Sequence, residues 1–152
     1  MTRILVDGDA CPVKDEVYRV ATRYEIQVVL VANTRLHAPF GVELVVVDAT
    51  LDAADNWIAE NARPGDIVVT ADIPLAARCL EARAHVLGTS GRPFTEGSIG
   101  DALAGRELSS HLREIGVSTG GPPPIAQKDR SRFLSKLDEM VQRTRREREP
   151  GG

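Results

Sequence analysis

The chain has few aromatic residues and only two cysteines. Phe, Tyr and Trp make up 4% of its 152 residues, so aliphatic side chains must fill the core. Cys11 and Cys79 are too few for a disulfide framework. No apolar run approaches the ~20 residues that cross a bilayer, and no basic leader with an apolar segment opens the chain. These absences predict a soluble cytoplasmic protein that makes no membrane contact.

Charge is distributed unevenly along the chain. The net charge is −3, which argues against non-specific binding of nucleic acid by the whole surface. Residues 128–148 nevertheless carry eight Lys/Arg and four Asp/Glu. The sequence therefore predicts an acidic body with a basic C-terminal element.

Length and a 42% apolar content predict one domain over residues 1–149. Residues 97–149 are predicted to form a helical extension packed on it, and residues 150–152 a disordered tail. The extension contains two apolar helical patterns, Ile99–Ile115 and Phe133–Val141, separated by a loop at 116–127. The sequence leaves open whether this loop closes over a site.

Short apolar runs alternate with helical patterns through the first two thirds of the chain. This alternation predicts an α/β fold with a mainly parallel five-stranded sheet. Helices are predicted at 12–24, at 52–62 and after Pro74, since proline is tolerated in a first turn. The predicted strands are Ile4–Val6, Ile26–Val31, Val42–Val47, Ile67–Thr70 and Ala84–Leu87.

Acidic residues follow three of these strands. Because the carboxyl ends of parallel strands share one edge, where ligands bind, these acids are expected to lie close together. Asp52 and Asp55 share a helix face at i, i+3. Carboxylates are the ligands that Mg²⁺ and Mn²⁺ prefer. The predicted metal ligands are Asp7, Asp9, Asp52, Asp55 and Asp72, and all of these except Asp52 are also predicted to be catalytic.

Each acid also has an ordinary structural interpretation. Asp9 and Asp52 are possible helix caps, and Asp48, the weakest candidate, is a possible turn residue. Three further residues are predicted to bind substrate phosphate: Thr70, Lys128 and Arg130. A strand-end role for Thr70 and a solvated role for the two cations are the alternatives. Cys11 is expected to be a small buried packing residue.

Taken together, the motifs resemble the YaiI/YqxD family over almost the whole chain. They are Asp7-Gly-Asp-Ala-Cys-Pro-Val13, Asp52-Ala-Ala-Asp55, Gly65-Asp-Ile-Val-Val-Thr-Ala-Asp-Ile-Pro-Leu-Ala76, Gly120-Gly-Pro122 and Lys128-Asp-Arg130. Gly8 stands where alanine is common in that family. The resemblance implies a PIN-like three-layer α/β/α sandwich. It also implies metal-dependent cleavage of RNA, because the five matching aspartates lie where PIN-like nucleases place their metal ligands.

Three functional hypotheses remain open from the sequence. The first is a Mg²⁺- or Mn²⁺-dependent phosphodiesterase, specifically a ribonuclease. The second is a phosphohydrolase of the haloacid-dehalogenase type, for which Asp7-Gly-Asp9 fits the opening motif but the following residues do not. The third is a non-catalytic module that binds RNA or a protein through the basic final helix. The physiological substrate, the number of metal ions and the oligomeric state are not determined.

Overall fold

The structure, a computed structural model, describes residues 2–39, 41–50, 52–101, 103–104 and 126–148. Its sheet has six strands in the order β3-β2-β1-β4-β5-β6. The first five pair in parallel, and β6 pairs antiparallel with β5. The strands are β1 (Arg3–Asp7), β2 (Gln27–Ala32), β3 (Val42–Val46), β4 (Ile67–Val69), β5 (His85–Leu87) and β6 (Pro93–Phe94).

The five predicted strands are confirmed, with bounds that shift by a residue or so. The sixth strand was not predicted, because two residues are too short to show a period. Most of the predicted helical pattern at 99–115, and positions 116–125 of the predicted loop, lie outside the described residues. Residues 96–101 are helical. The main helices are α1 (Lys14–Tyr24), α2 (Ala53–Asn61), α3 (Ile73–Glu81) and α4 (Gln127–Arg148).

Helix α1 begins two residues later than predicted. Gly8–Ala10 forms a separate 3-10 turn, and Pro12 lies in the turn before the helix. Val13, not Pro12, directly precedes the first helical residue. The segment after β1 that contains Asp9 is therefore a separate turn and not the start of α1.

Alternating side chains of the sheet pack under two helical layers. Ile4, Val6 and Leu30 face α1 and α4, where Val17, Phe133 and Leu137 are fully buried. The other face of the same strands packs against α2 and α3. Its buried members include Leu5, Val29, Val68, Ile58, Leu75 and Cys79. The chain is thus a three-layer α/β/α sandwich, as the resemblance implied.

The middle and the C-terminal part of helix α4 contact the C-terminal end of α1. The Asp138 carboxylate accepts a 2.8 Å hydrogen bond from the Tyr24 hydroxyl and pairs with Arg23. The Arg145 guanidinium lies 5.4 Å from the Tyr24 ring centroid. Among the described residues, no helix is both long and apolar enough to cross a membrane.

The strand order creates a crevice between β1 and β4. From β1 the chain moves outward to β2 and β3, and then returns to place β4 on the other side of β1. Ligands of open α/β sheets bind at such a reversal, outside the carboxyl ends of the strands. Asp7 ends β1, and Asp72 follows β4 closely. These two acids therefore lie at the carboxyl ends of adjacent strands at the reversal.

Candidate functional site

Thr70 connects the two acids of the crevice. Its hydroxyl donates to Asp7 Oδ2 at 3.3 Å and accepts from the Asp72 backbone N–H at 3.0 Å. Only 1% of Thr70 is exposed, so its hydroxyl is a fixed internal link between the acids. These contacts agree with the alternative of a structural role for Thr70 at the strand end, and the predicted contact with phosphate stays a prediction.

Asp72 is held in place by the helix that follows it. Its Oδ1 accepts a 2.9 Å hydrogen bond from the Leu75 N–H, which caps α3, and Pro74 lies in the first turn. Pro74 predicted the start of this helix, but the capping role of Asp72 was not predicted from the sequence. The cap fixes the orientation of the carboxylate towards the crevice.

Helix α2 brings Asp55 beside Asp72. The pKa of Asp55 is raised to about 6, first by burial, then by the charges of Asp72, Asp7 and Asp52, and by a hydrogen bond from its protonated form to Asp72. Burial also raises the pKa of Asp7; the Thr70 hydrogen bond opposes this, and the charges of Asp72 and Asp9 add to it. Asp72 thus acts electrostatically on both Asp7 and Asp55, and these three residues form one coupled carboxylate cluster whose like charges repel one another.

An open cavity of about 250 Å³ adjoins this cluster, between α2 and α3. We call it the acidic cleft. Its lining includes Asp52, Asp55 and Asp72, together with Asn56 and Arg78. The sequence had not singled out Asn56 or Arg78, because their pairing at 2.8 Å joins two helices that are distant in the chain.

Other acids predicted for the site lie differently. Asp9 is exposed, and its Oδ2 accepts from the Asn33 N–H at 2.9 Å, which ties the 3-10 turn to the end of β2. Asp52 is exposed before α2 with a φ of 66°, and its side chain makes no capping hydrogen bond. Asp9 therefore does not cap α1, whereas Asp52 occupies the N-cap position of α2 without a capping bond from its side chain. Asp48 is exposed beyond β3, on the far side of β2 from Asp7.

The predicted phosphate-binding cations lie in the opposite layer from the acidic cleft. Arg130 Nη1 donates to the Pro12 carbonyl at 2.9 Å and pairs with Glu16 at 3.3 Å. Lys128 is exposed in the first turn of α4. The structure brings Arg130 close to the turn after β1, but places neither cation among the lining of the cleft.

The two cysteines are buried packing residues. Burial raises the pKa of the Cys11 thiol to about 11 and that of the Cys79 thiol to about 12. Both thiols stay protonated at neutral pH, so neither is a ready nucleophile. The expectation that Cys11 packs in the core agrees with its 6% exposure.

The carboxylate cluster has the donor chemistry of a hard cation site but is not a complete cage. Across the part of the chain that the structure describes, no three His, Cys, Asp or Glu side chains are arranged to hold a metal ion by themselves. Mg²⁺ is usually held by one or two carboxylates and several waters, so a closed cage is not required. The mutual repulsion of Asp7, Asp55 and Asp72 is what a divalent cation would relieve.

The raised pKa of Asp55 predicts that this residue destabilises the metal-free protein. Since the pKa rises from its ordinary 3.8 to about 6 on folding, the folded state binds the proton more tightly. The free energy of unfolding therefore falls as pH rises between these values and stays lower above pH 6. With allowance for solvent screening, Asp55→Asn should raise stability at pH 7.5 by about 1 kcal/mol.

Urea unfolding of both proteins in chelator, at pH 4 and pH 7.5, measures this effect. The variant should gain little at pH 4, where the folded-state carboxyl is already mostly protonated. A loss of stability at pH 7.5 would contradict the coupling of Asp55 to its neighbours. Asp48→Asn, which changes an exposed acid outside the cluster, is the matched control.

Fold and site together define an α/β protein with a coupled acidic cluster at the switch point of a parallel sheet. Residues 5–143 match the model of the family described as "Uncharacterized BCR, YaiI/YqxD family". The chain therefore belongs to the YaiI/YqxD family. This confirms the resemblance drawn from the motifs.

Close relatives match over almost their whole length. A UPF0178 protein of Paramagnetospirillum magneticum is 57% identical over 148 residues, covering 96% of this chain and 98% of the relative. One of Bradyrhizobium diazoefficiens is 54% identical over 149 residues, covering 97% and 89%. One of Brucella suis is 56% identical over 146 residues, covering 94% and 91%. No solved structure matches the chain significantly.

Proposed function

We propose that this protein is a Mg²⁺- or Mn²⁺-dependent phosphodiesterase that cleaves single-stranded RNA. The observation that carries the proposal is the coupled cluster of Asp7, Asp55 and Asp72 at the β1/β4 crevice. A cluster of like charges beside an open cleft costs stability unless a cation occupies it. Such destabilising clusters of charged groups occur in active sites because the same groups take part in the chemistry.

The residues of the cluster divide into holding and proton-accepting roles. Asp7 and Asp72 would hold the cation, and Thr70 and the α3 cap fix their positions. A bound divalent cation supplies a nucleophilic water and polarises the phosphoryl group. Asp55, with a pKa of about 6, is mostly ionised at neutral pH and is suited to accept a proton from an attacking water. Asp9 and Asp52 are at most auxiliary, since both are exposed at the margin.

Two alternatives receive less support. In a haloacid-dehalogenase mechanism Asp9 would protonate the leaving group, but its carboxylate holds the Asn33 amide. In a non-catalytic module the basic α4 would bind RNA, but several of its cations pair with acids of the same helix. These pairs are Arg132–Asp129, Lys136–Glu139 and Arg143–Glu139.

Metal binding and cleavage can be measured on the unmodified protein. Trp57, the one tryptophan of the chain, lies on α2 two residues after Asp55. Paramagnetic Mn²⁺ bound at the cluster should quench its fluorescence, and either chelator or excess Mg²⁺ should restore it. The same preparation with Mn²⁺ should shorten a labelled single-stranded RNA, and chelator should stop this.

Two outcomes would overturn the proposal. One is the absence of chelator-sensitive cleavage of RNA in the presence of Mn²⁺. The other is trapping of phosphate on Asp7, which would favour the haloacid-dehalogenase alternative. Tight RNA binding without metal or cleavage would instead support the non-catalytic module.

A further inference from the structure

Arg78 places a positive charge at the margin of the acidic cleft. It lies in the last turn of α3, is exposed, and lines the cleft with Asp52, Asp55 and Asp72. Its Nη1 donates to the Asn56 side-chain oxygen at 2.8 Å. Asn56 directly follows Asp55 on α2, so this bond joins Arg78 to the helix that carries Asp55.

This arginine forms no ion pair with the acids that line the same cleft. Within the described ranges, Arg78 lies within ion-pair distance of no carboxylate, although three carboxylates line the same cavity. A guanidinium has five N–H donors in a rigid planar fork, and the bond to Asn56 uses one of them. The remaining donors are left for solvent or a ligand.

Two other arginines, Arg130 and Arg3, form ion pairs away from the acidic cleft. Arg130 is bound to the Pro12 carbonyl and Glu16 in the opposite layer. Arg3 pairs at 2.7 Å with the buried Asp66, at the amino ends of the strands. Arg78 lies in the same helical layer as Asp55, and most of its N–H donors are not used in the bond to Asn56. The ligand group that matches a planar fork beside the proposed cation site is a phosphate, which arginine binds through two parallel hydrogen bonds.

We propose that Arg78 binds a backbone phosphate of the RNA strand next to the one that is cleaved, with Asn56 as its positioning residue. This inference rests on the proposed function, because it assigns the substrate contact of the same cleft. Because the Arg78 guanidinium is bound to Asn56 and not to a carboxylate, the carboxylates stay available to bind the metal ion. The guanidinium also offsets the repulsion between the acidic cleft and an incoming phosphodiester chain.

The test is the binding of a fluorescent single-stranded oligoribonucleotide, followed by anisotropy over a series of salt concentrations. Ca²⁺ serves as the divalent cation, and gel electrophoresis checks that the RNA is intact. Arg78→Ala should weaken binding about 10-fold, the loss of one charge-assisted contact. The slope of log affinity against log salt should fall by about 0.7. Arg78→Lys should restore the slope but not the full affinity, since lysine cannot bind bidentately.

Arg19→Ala is the matched control, because Arg19 is exposed on α1 in the opposite layer. Its affinity and slope should equal those of the unmodified protein. Thermal unfolding of each variant separates a phosphate contact from a structural link between α2 and α3. If Arg78→Ala lowers the melting temperature but leaves affinity and slope unchanged, Arg78 is only such a link and the inference is overturned.

Cleavage assays with Mn²⁺ separate this inference from the proposed function. If the unmodified protein cleaves RNA and Arg78→Ala has the same KM and kcat, the nuclease proposal stands and the Arg78 inference falls. If the protein binds RNA through Arg78 but never cleaves it, the phosphate site stands and the nuclease proposal falls. Neither binding nor cleavage by the unmodified protein would overturn both.

Discussion

Replacing Asp7 by asparagine should lower Mn²⁺-dependent cleavage of RNA by about 100-fold or more, a loss typical of removing a key electrostatic group. Asparagine keeps the shape and can still accept from Thr70, so the crevice should stay intact. What is lost is the negative charge that would hold the cation. Initial cleavage rates at saturating Mn²⁺, together with quenching of Trp57 fluorescence by Mn²⁺, measure the effect.

Asp48→Asn provides a control of identical chemistry. Asp48 also follows a strand of the parallel sheet, but β3 lies at the edge, with β2 between it and β1. Its variant should cleave RNA and bind Mn²⁺ like the unmodified protein. Equal losses in both variants would mean that overall charge, and not the β1/β4 crevice, governs activity. Full activity of the Asp7 variant would remove the basis of the proposed mechanism.

Gly91→Ala should destabilise the fold by about 2–4 kcal/mol, which combines backbone strain with overpacking. Gly91 has a φ of +89°, in the region that favours glycine. A Cβ there would lie 2.7 Å from the Phe133 backbone nitrogen and 2.9 Å from the Arg132 carbonyl carbon. Since these are backbone atoms of α4, relief requires that the helix move away from the loop after β5. Urea unfolding followed by circular dichroism gives the change in free energy.

Gly41→Ala separates the two causes. Gly41 has nearly the same φ, +90°, but nothing lies within 4 Å of the position of its Cβ. Its variant should lose only the backbone component, about 1 kcal/mol. A Gly91 variant no less stable than the Gly41 variant would show that α4 does not approach this loop so closely.

The sequence predicted most of the strands because their apolar runs are short and uninterrupted. The same pattern placed Asp7 and Asp72 at strand ends. The apolar pattern does not reveal the order of the strands in the sheet. Only that order brings Asp7 and Asp72 together and leaves Asp48 at the edge. Likewise, Lys128-Asp-Arg130 was the evident cationic motif, whereas the structure places Arg78 at the cleft and commits Arg130 to Pro12 and Glu16.

The amino-acid sequence by itself determined which segments form helices and strands, and to which family the chain belongs. It could do so because hydrophobic period, turn residues and local motifs each extend over only about a dozen positions. Only the tertiary structure decided which acids share a charge environment, which arginine adjoins them, and why residue 91 is glycine. Those facts depend on distances between segments that are far apart in the chain. Such distances are set by strand order and helix packing.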